Sequence, residues 1–409
     1  MGQRVKLSDL FQIGSSKRVL KAQWQKTGVP FYRGREITKL SQLGSVDNEL
    51  FITEELYAEY ADKYGVPTAG DIVITAIGTI GNSYIVSEGD RFYFKDASVL
   101  WLKKASEVDS KYINLWLKSP LMKNQLDEGN GATVDTLTIK KLQSLVVDLP
   151  SIPEQKRIVA ILDQAFADIE QARTKTEQNL KNARELFESY LQQVFSQRGD
   201  EVSLSEITES ISDGDHSAPP KSEEGIPFIT ISNINKLTNE IDFSNTFKVP
   251  ESYYSSLKAT RKPTVGDILY TVTGSYGIPV IVRDKKEFCF QRHIGLVRPN
   301  KNTNSNWLYY LLMSPQVFKQ ADEGATGTAQ KTVSLKLLRS IKVPNIPLDK
   351  QISAVKDLDN IYQKSKKLEY IYTTKLVVID ELKKSILQKA FSGELTKTLE
   401  VDTNKGAVA

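Results

Sequence analysis

Residues 323–333 read EGATGTAQKTV, a run of glycines and threonines around one lysine. A phosphate-cradling loop needs Gly-x-x-x-x-Gly-Lys-Ser/Thr, in which backbone N–H groups wrap the phosphates and the lysine reaches the terminal ones. Lys331 and Thr332 are adjacent as required, but Gln330 precedes the lysine and Gly327 lies three positions too early. Two other sets of residues invite a catalytic reading. Asp148 followed by Glu154 and Lys156 has the carboxylate–carboxylate–lysine order of nucleases that hold Mg²⁺ through oxygens. Asp215 beside His216 has the look of a dyad, although no nucleophile accompanies it.

Other chemistries are excluded by composition. Cys289 is the single cysteine and His216 and His293 are the two histidines, so an intramolecular disulfide, cysteine-based zinc sites and multi-histidine metal centres are ruled out. No Asn/Asp-Pro-Pro-Tyr/Phe segment is present, and no G-x-G-x-x-G opens a βαβ unit for a nucleotide or S-adenosylmethionine. At 409 residues, with 40% hydrophobic and 25% charged residues, the chain is long enough for two or more domains and is not compositionally disordered. The formal net charge of +4 is compatible with nucleic-acid binding without demonstrating it. No apolar run approaches the ~18–20 residues of a membrane span, and MGQRVKLSDLF lacks the apolar core of a signal peptide. A cytoplasmic protein is expected.

The chain repeats itself. GVPF (28–31) recurs as GIPF (225–228), PTAGDI (67–72) as PTVGDI (263–268), and DEG (127–129) as DEG (322–324). Pro150 and Pro153 match Pro344 and Pro347, and Phe195-Ser196 matches Phe391-Ser392, all in one order with offsets of 194 to 197 residues. The repeat weakens each catalytic reading. Asp135 stands where the second copy has Lys331, and a carboxylate there would repel a phosphate. Leu348 falls opposite Glu154, and the first copy has nothing like Asp215-His216. No site of catalysis is expected in this chain.

Each copy has the same internal order. DIVITAIGTIGNSYIV (71–86) and DILYTVTGSYGIPVIV (267–282) read as β-hairpins, and SKYINLWLKSP (110–120) and SNWLYYLLMSP (305–315) as short helices. Then Ile158, Ile161, Leu162, Phe166 and Ile169 begin a three-and-four spacing that runs for some 40 residues without Gly or Pro. Ile352, Val355, Leu358, Ile361 and Tyr362, and later Ile371 and Leu382, do the same in the second copy. Residues 152–196 and 346–392 are therefore expected to form two long helices of about 60 Å. Neither can bury its stripe on its own domain, so each is expected to pack on the other. The predicted fold class is α+β, with globular domains at 1–150 and 199–345. Long helices at 151–198 and 346–395 pair as an antiparallel coiled coil with a pseudo-twofold, and a tail, 396–409, is expected to be disordered.

This organisation resembles the specificity subunit of type I restriction–modification systems. The echoes are LPSIPEQKRIVAILD (149–163), ISDGDHSAPP (211–220), GIPFITISNI (225–234), GDILYTVTGSYG (266–277), FQRHIG (290–295) and LQKAFSGEL (387–395). The first domain departs from the pattern, with FKDASV (94–99) and FQIGSSKRVLKAQW (11–24) in place of the FQRHIG and DGDH stretches. The resemblance implies that each globular domain is a target-recognition domain for one half of a bipartite, asymmetric DNA site. The helices would act as ruler and docking surface for two methyltransferase subunits, with a motor–nuclease subunit joining for cleavage. It implies no cofactor on this chain, with S-adenosylmethionine, ATP and Mg²⁺ on the partners. Half-sites on one face of the duplex would lie roughly 34–36 Å apart. The candidate DNA contacts are Ser15, Ser16, Lys17, Arg18, Arg33, Arg35, Thr79 and Asn82 in the first domain. In the second they are Asp215, His216, Lys221, Ser232, Asn233, Ser275, Tyr276, Gln291, Arg292 and His293, because such side chains anchor phosphates and read base edges. The alternative is a coiled-coil scaffold that joins protein partners and never touches DNA.

Overall fold

The computed structural model describes residues 2–127, 136–196, 200–214, 216, 218–236, 238–328 and 330–395. Asp135, Asp215 and the 396–409 tail lie outside them. The chain forms two compact units, residues 1–176 with 375–409 and residues 177–374. Each long helix therefore contributes one segment to each unit.

The two units are built alike. In the first, Phe11–Gly14, Val99–Lys104, Ile72–Thr75 and Ser83–Ile85 form a four-stranded antiparallel sheet. Beside it Val29–Tyr32 lies between Phe51–Ile52, antiparallel, and Tyr93–Phe94, parallel. In the second, Thr208–Asp213, Ile294–Pro299, Ile268–Thr271 and Pro279–Ile281 form the four-stranded sheet. Ile226–Ile229 likewise lies between Phe247–Val249, antiparallel, and Cys289–Phe290, parallel. Two-stranded pairs, Gln3–Lys6 with Val146–Leu149 and Glu201–Ser203 with Lys342–Pro344, close the units.

The repeated motifs are the joints of this scaffold. Gly28 and Gly225, which open GVPF and GIPF, have φ of +123° and +119°, and a Cβ there would meet Ile52 O at 2.3 Å and Val249 O at 2.2 Å. A side chain at either would push the central strand off its partner. The aspartates of PTAGDI and PTVGDI are buried. Asp71 accepts from Thr68 N–H at 2.9 Å, Trp101 Nε1 at 2.9 Å and Lys104 N–H at 2.9 Å. Asp267 accepts from Thr264 N–H at 2.8 Å and from Arg298 Nε and Nη2 at 3.0 and 2.8 Å. Pro299 occupies the strand position of Lys104 and has no N–H to give, so the Arg298 guanidinium supplies the missing donors.

The long helices span Ile152–Phe195 and Leu348–Phe391, 44 residues each. Their first turns are held by buried glutamines. Gln155 accepts from Asp109 N–H at 2.9 Å and donates to Pro150 O at 2.8 Å. Gln351 accepts from Asn304 N–H at 2.8 Å and donates to Ile346 O at 2.7 Å and Asn302 O at 3.2 Å. This equivalence corrects the proline-based register by two residues: Lys350, not Leu348, corresponds to Glu154. At the far ends Phe195 packs on Trp307 with ring centroids 4.5 Å apart, and Phe391 packs on Tyr112 at 5.1 Å.

Within the first unit the helix segments run antiparallel, with Lys383 over the Phe166 ring and Arg173 paired with Asp380. Within the second they do the same, with Ser365 donating to Ala183 O at 2.7 Å and Phe187 against Tyr362 at 5.0 Å. Ile352, Ile371 and Leu382, three of the predicted stripe positions, are instead exposed. A seam against one partner helix covers a narrower arc than the stripe the sequence shows.

Three expectations follow from these joints. Gly225→Ala should lower stability by about 2 kcal/mol or more, with hydrogen exchange accelerating first across 226–229 and 247–249. Gln351→Ala orphans the Asn304 N–H and should cost about 1–3 kcal/mol, seen as a lower Tm. Lys118 is half-buried; desolvation first, and then the Lys383 charge, lower its amine to about 8. Below that pH both folded and unfolded chains hold the proton and folding carries the burial penalty. Above it only the unfolded chain does, so stability should rise with pH until the ordinary lysine range is reached. Met313 stands at the matching place in the second unit. Lys118→Met should therefore raise Tm at pH 7, and the gain should shrink above about pH 8.

Candidate nucleic-acid interface

In the first unit four segments converge beyond the strand ends: 14–18, 33–36, 77–82 and 94–98. The Ser15 hydroxyl donates to Val99 O at 3.2 Å and the Ser16 hydroxyl to Phe94 O at 2.6 Å. Lys17 N–H donates to the Tyr93 hydroxyl at 2.9 Å, while its ammonium extends over the Tyr64 ring. Burial pushes the Tyr93 phenol up to about 12, so it stays a neutral partner. Arg18 pairs with Asp96 at 2.8 Å and remains 70% exposed. The two serines therefore fix the loop, and Lys17 and Arg18 are the side chains it presents.

Arg33 has a structural role of its own. Its N–H and guanidinium bind Glu36 at 2.8 and 2.9 Å, closing the first turn of the Gly34–Leu43 helix. Burial opposes ionisation of Glu36, but hydrogen bonds from Arg33 and Arg35 outweigh it and hold the carboxyl below its ordinary value. Arg35 pairs with Glu36 and Glu49 and is half exposed. Thr79 is exposed on the tip of the Gly-rich turn. Asn82 braces that turn, donating to Thr79 O and to the Thr38 hydroxyl, both at 3.3 Å.

The second unit gathers the matching segments: 213–214 with His216, 230–236, 273–276 and 290–293. A Cβ at Gly214 would lie 2.0 Å from Phe290 O, so glycine alone lets the backbone at this position rest against Phe290 and Gln291. His216 is exposed and its Nε2 lies 2.8 Å from Asp213, which also faces Arg261 at 3.4 Å. Asp215, its expected companion, lies outside the described residues. Lys221 is exposed over the Phe247 ring. Ser232 is exposed, its hydroxyl 2.7 Å from that of Thr230.

Asn233 must be withdrawn as a base reader. It is 5% exposed, and its amide accepts from Thr230 N–H at 2.9 Å and reaches Asp242 O and Asn245 O at 3.3 and 3.4 Å. A buried amide with all its partners inside has nothing left to offer a base. Ser275 accepts from Lys236 at 2.6 Å. Tyr276 stacks on Phe318 and donates to Asp322, which engages its hydroxyl. Gln291 and His293 are half-buried. Arg292 is exposed and makes no ion pair or hydrogen bond among the described residues. The sequence reading passed over Lys236, Lys95 and Asp96, because nothing in their local spacing marks them; only the fold brings them to this face.

The other catalytic readings resolve locally. Lys331 is tied to Asp322 at 2.8 Å, and the loop before it closes on itself through Thr326 and Thr332, whose backbones exchange bonds of 3.0 and 2.8 Å. The exchange of backbone bonds between Thr326 and Thr332 closes the turn, and the Lys331 ammonium is engaged by a carboxylate. Glu154 pairs with Arg157 at 2.8 Å in the opening turn of the first long helix, where a carboxylate also suits the helix dipole. Among the described residues no group of three or more His, Cys, Asp and Glu side chains is placed to hold a metal ion. None of their helices is long and apolar enough to cross a membrane.

Residues 3–179 and 200–372 each match the family described as type I restriction modification DNA specificity domain. A Haemophilus influenzae protein provisionally named as a type I restriction enzyme specificity subunit is 33% identical over 166 residues, 40% of each chain. The EcoBI specificity subunit of Escherichia coli is 24% identical over 296 residues, 65% of this chain and 62% of that one. Both matches span less than two thirds of the relative's length. A solved chain from work on complex assembly and conformational transition of a type I restriction–modification system shares the fold. It has a TM-score of 0.75 at 19% identity, with 96% of this chain and 98% of that one covered. Two copies of one sheet scaffold, two paired long helices and two family matches agree: the chain belongs to the type I restriction–modification DNA specificity family.

Proposed function

We propose that this chain is the DNA-reading specificity subunit of a type I restriction–modification complex. Each unit binds one half of a bipartite, asymmetric site through the convergent loops. One observation carries the reading. Both units repeat the same strand order, yet the side chains presented at equivalent loops differ: Lys17 and Arg18 in one, His216 and Arg292 in the other. A shared scaffold with unlike contact residues is what two different half-site words require.

The long helices serve in this reading as the docking surface for two modification subunits. Tyr370 and Ile371 in the second unit, and Val377, Val378 and Leu382 in the first, are exposed apolar residues of a kind that favours protein contact. The chain performs no chemistry itself. S-adenosylmethionine, ATP and Mg²⁺ belong to the modification and motor–nuclease partners.

The test is methylation mapping of genomic DNA with this gene intact and deleted, together with salt-titrated DNA binding by the complex co-purified with its modification subunits. Deletion should abolish an adenine mark at two short words around an unspecified gap. Affinity should fall steeply with salt, and Lys236→Ala should shallow the log–log slope by about 1. An unchanged methylation map with salt-independent or absent DNA binding would leave the protein-scaffold alternative.

A further inference from the structure

Between the central strand of the small sheet and its antiparallel neighbour the two units differ in kind. In the first, the connection from Val29–Tyr32 to Phe51–Ile52 contains the Gly34–Leu43 helix. In the second, the described residues of the connection from Ile226–Ile229 to Phe247–Val249 contain no helix of that type but a short hairpin, Ile234–Asn235 with Glu240–Ile241. Both inserts lean on the same Gly-rich turn: Thr38 accepts from Asn82 at 3.3 Å, and Lys236 donates to Ser275 at 2.6 Å. Position and support are shared, and the element itself has been exchanged.

The helix is anchored on one side and chemically armed on the other. Ile37 and Leu40 are buried, and Glu36 is locked by Arg33. At 100° per residue Arg35, Lys39 and Gln42 fall within about 60° of arc on the opposite side, and all three are exposed. Lys39 and Gln42 make no hydrogen bond or ion pair among the described residues, whereas Arg35 is pre-ordered by Glu36 and Glu49. Ten residues give a rod of roughly 15 Å, a length that suits a major groove about 12 Å wide. The side-chain types are those that read base edges there: arginine and lysine pair with guanine, glutamine with adenine. A backbone anchor would need only cations and would not need the glutamine.

We infer that the Gly34–Leu43 helix enters the major groove and reads bases of one half-site through Arg35, Lys39 and Gln42. The inference rests on the DNA-reading function proposed above. The second unit's hairpin at the same place explains how one scaffold reads an unrelated word, since the major groove admits either a helix or a two-stranded ribbon.

The experiment uses the full chain co-purified with its modification subunits, as wild type, Lys39→Ala and Gln42→Ala, each selecting from a randomised duplex library. Both residues are exposed, so circular dichroism melts should superimpose. Each variant should lose roughly ten- to hundred-fold of base discrimination at one or two positions of a single half-site. Preference at the other half-site should be untouched. A uniform loss of affinity with every base preference retained would make the helix a phosphate anchor and overturn the inference. No change in either affinity or preference would also overturn it. If the wild-type complex selects no sequence and shows no salt-dependent binding, the DNA-reading function itself falls, and the inference with it.

Discussion

The geometry of this molecule depends on two buried side-chain amides. Gln155 and Gln351 each tie the first turn of a 44-residue helix to the N-terminus of a short helix in the globular part of its unit. A long helix is useful as a spacer only if its joint is stiff, because an angular error at the base grows with length. A glutamine does this better than an apolar residue. It fixes direction through both ends of its amide, and with only 1% and 4% exposure it cannot exchange its partners for water without disrupting the joint. The aromatic pairs at the far ends, Phe195 with Trp307 and Phe391 with Tyr112, complete the attachment by contact area where the amides do it by direction.

With the joints fixed, the sheets can hold their form while their sequences diverge. Asp71 and Asp267 make the point. Each holds a threonine-led turn against the neighbouring strand, yet one does it with a backbone N–H and an indole and the other with a guanidinium. Pro299 removed a donor, and Arg298 restored it from the adjacent position. Conservation of the acceptor with replacement of the donors marks the aspartate as the fixed point of this turn. The loops beyond the strand ends face no such demand, which leaves them open to change.

The repeat, the fold class and the long helices were legible because each has a regular signature: recurring turn residues, β-branched runs and a three-and-four apolar spacing. The register between the copies was not. Proline is the visible marker in the sequence, but it only tolerates a helix start, whereas the glutamine defines one. Among the candidate contacts, Arg18 and Arg292 stand in loops where the fold leaves them exposed. Asn233 was misread because an asparagine in a turn looks the same whether its amide faces solvent or closes the turn from inside. Lys236 was missed for the converse reason: its place beside Ser275 depends on a pairing 39 residues away along the chain. The exposed Ile352, Ile371 and Leu382 show the same limit, since periodicity reports that a face is apolar and not what covers it.

The ion pairs at the loops bear on how such a surface discriminates. In the DNA-reading proposal Arg18 and Arg35 do not approach a duplex as free cations: Asp96 holds one, and Glu36 and Glu49 hold the other. Moving either arginine to a phosphate exchanges one anion for another, so the net gain from indiscriminate backbone contact is small. A guanine edge offers two acceptors in the plane of the guanidinium and can recover the loss by geometry. A chain with a formal charge of only +4 over 409 residues then binds random DNA weakly, while its ordered arginines keep the directional contacts that distinguish one base pair from another. Restraint of the cations by neighbouring carboxylates thus favours specificity over affinity, as the proposed site-choosing role requires.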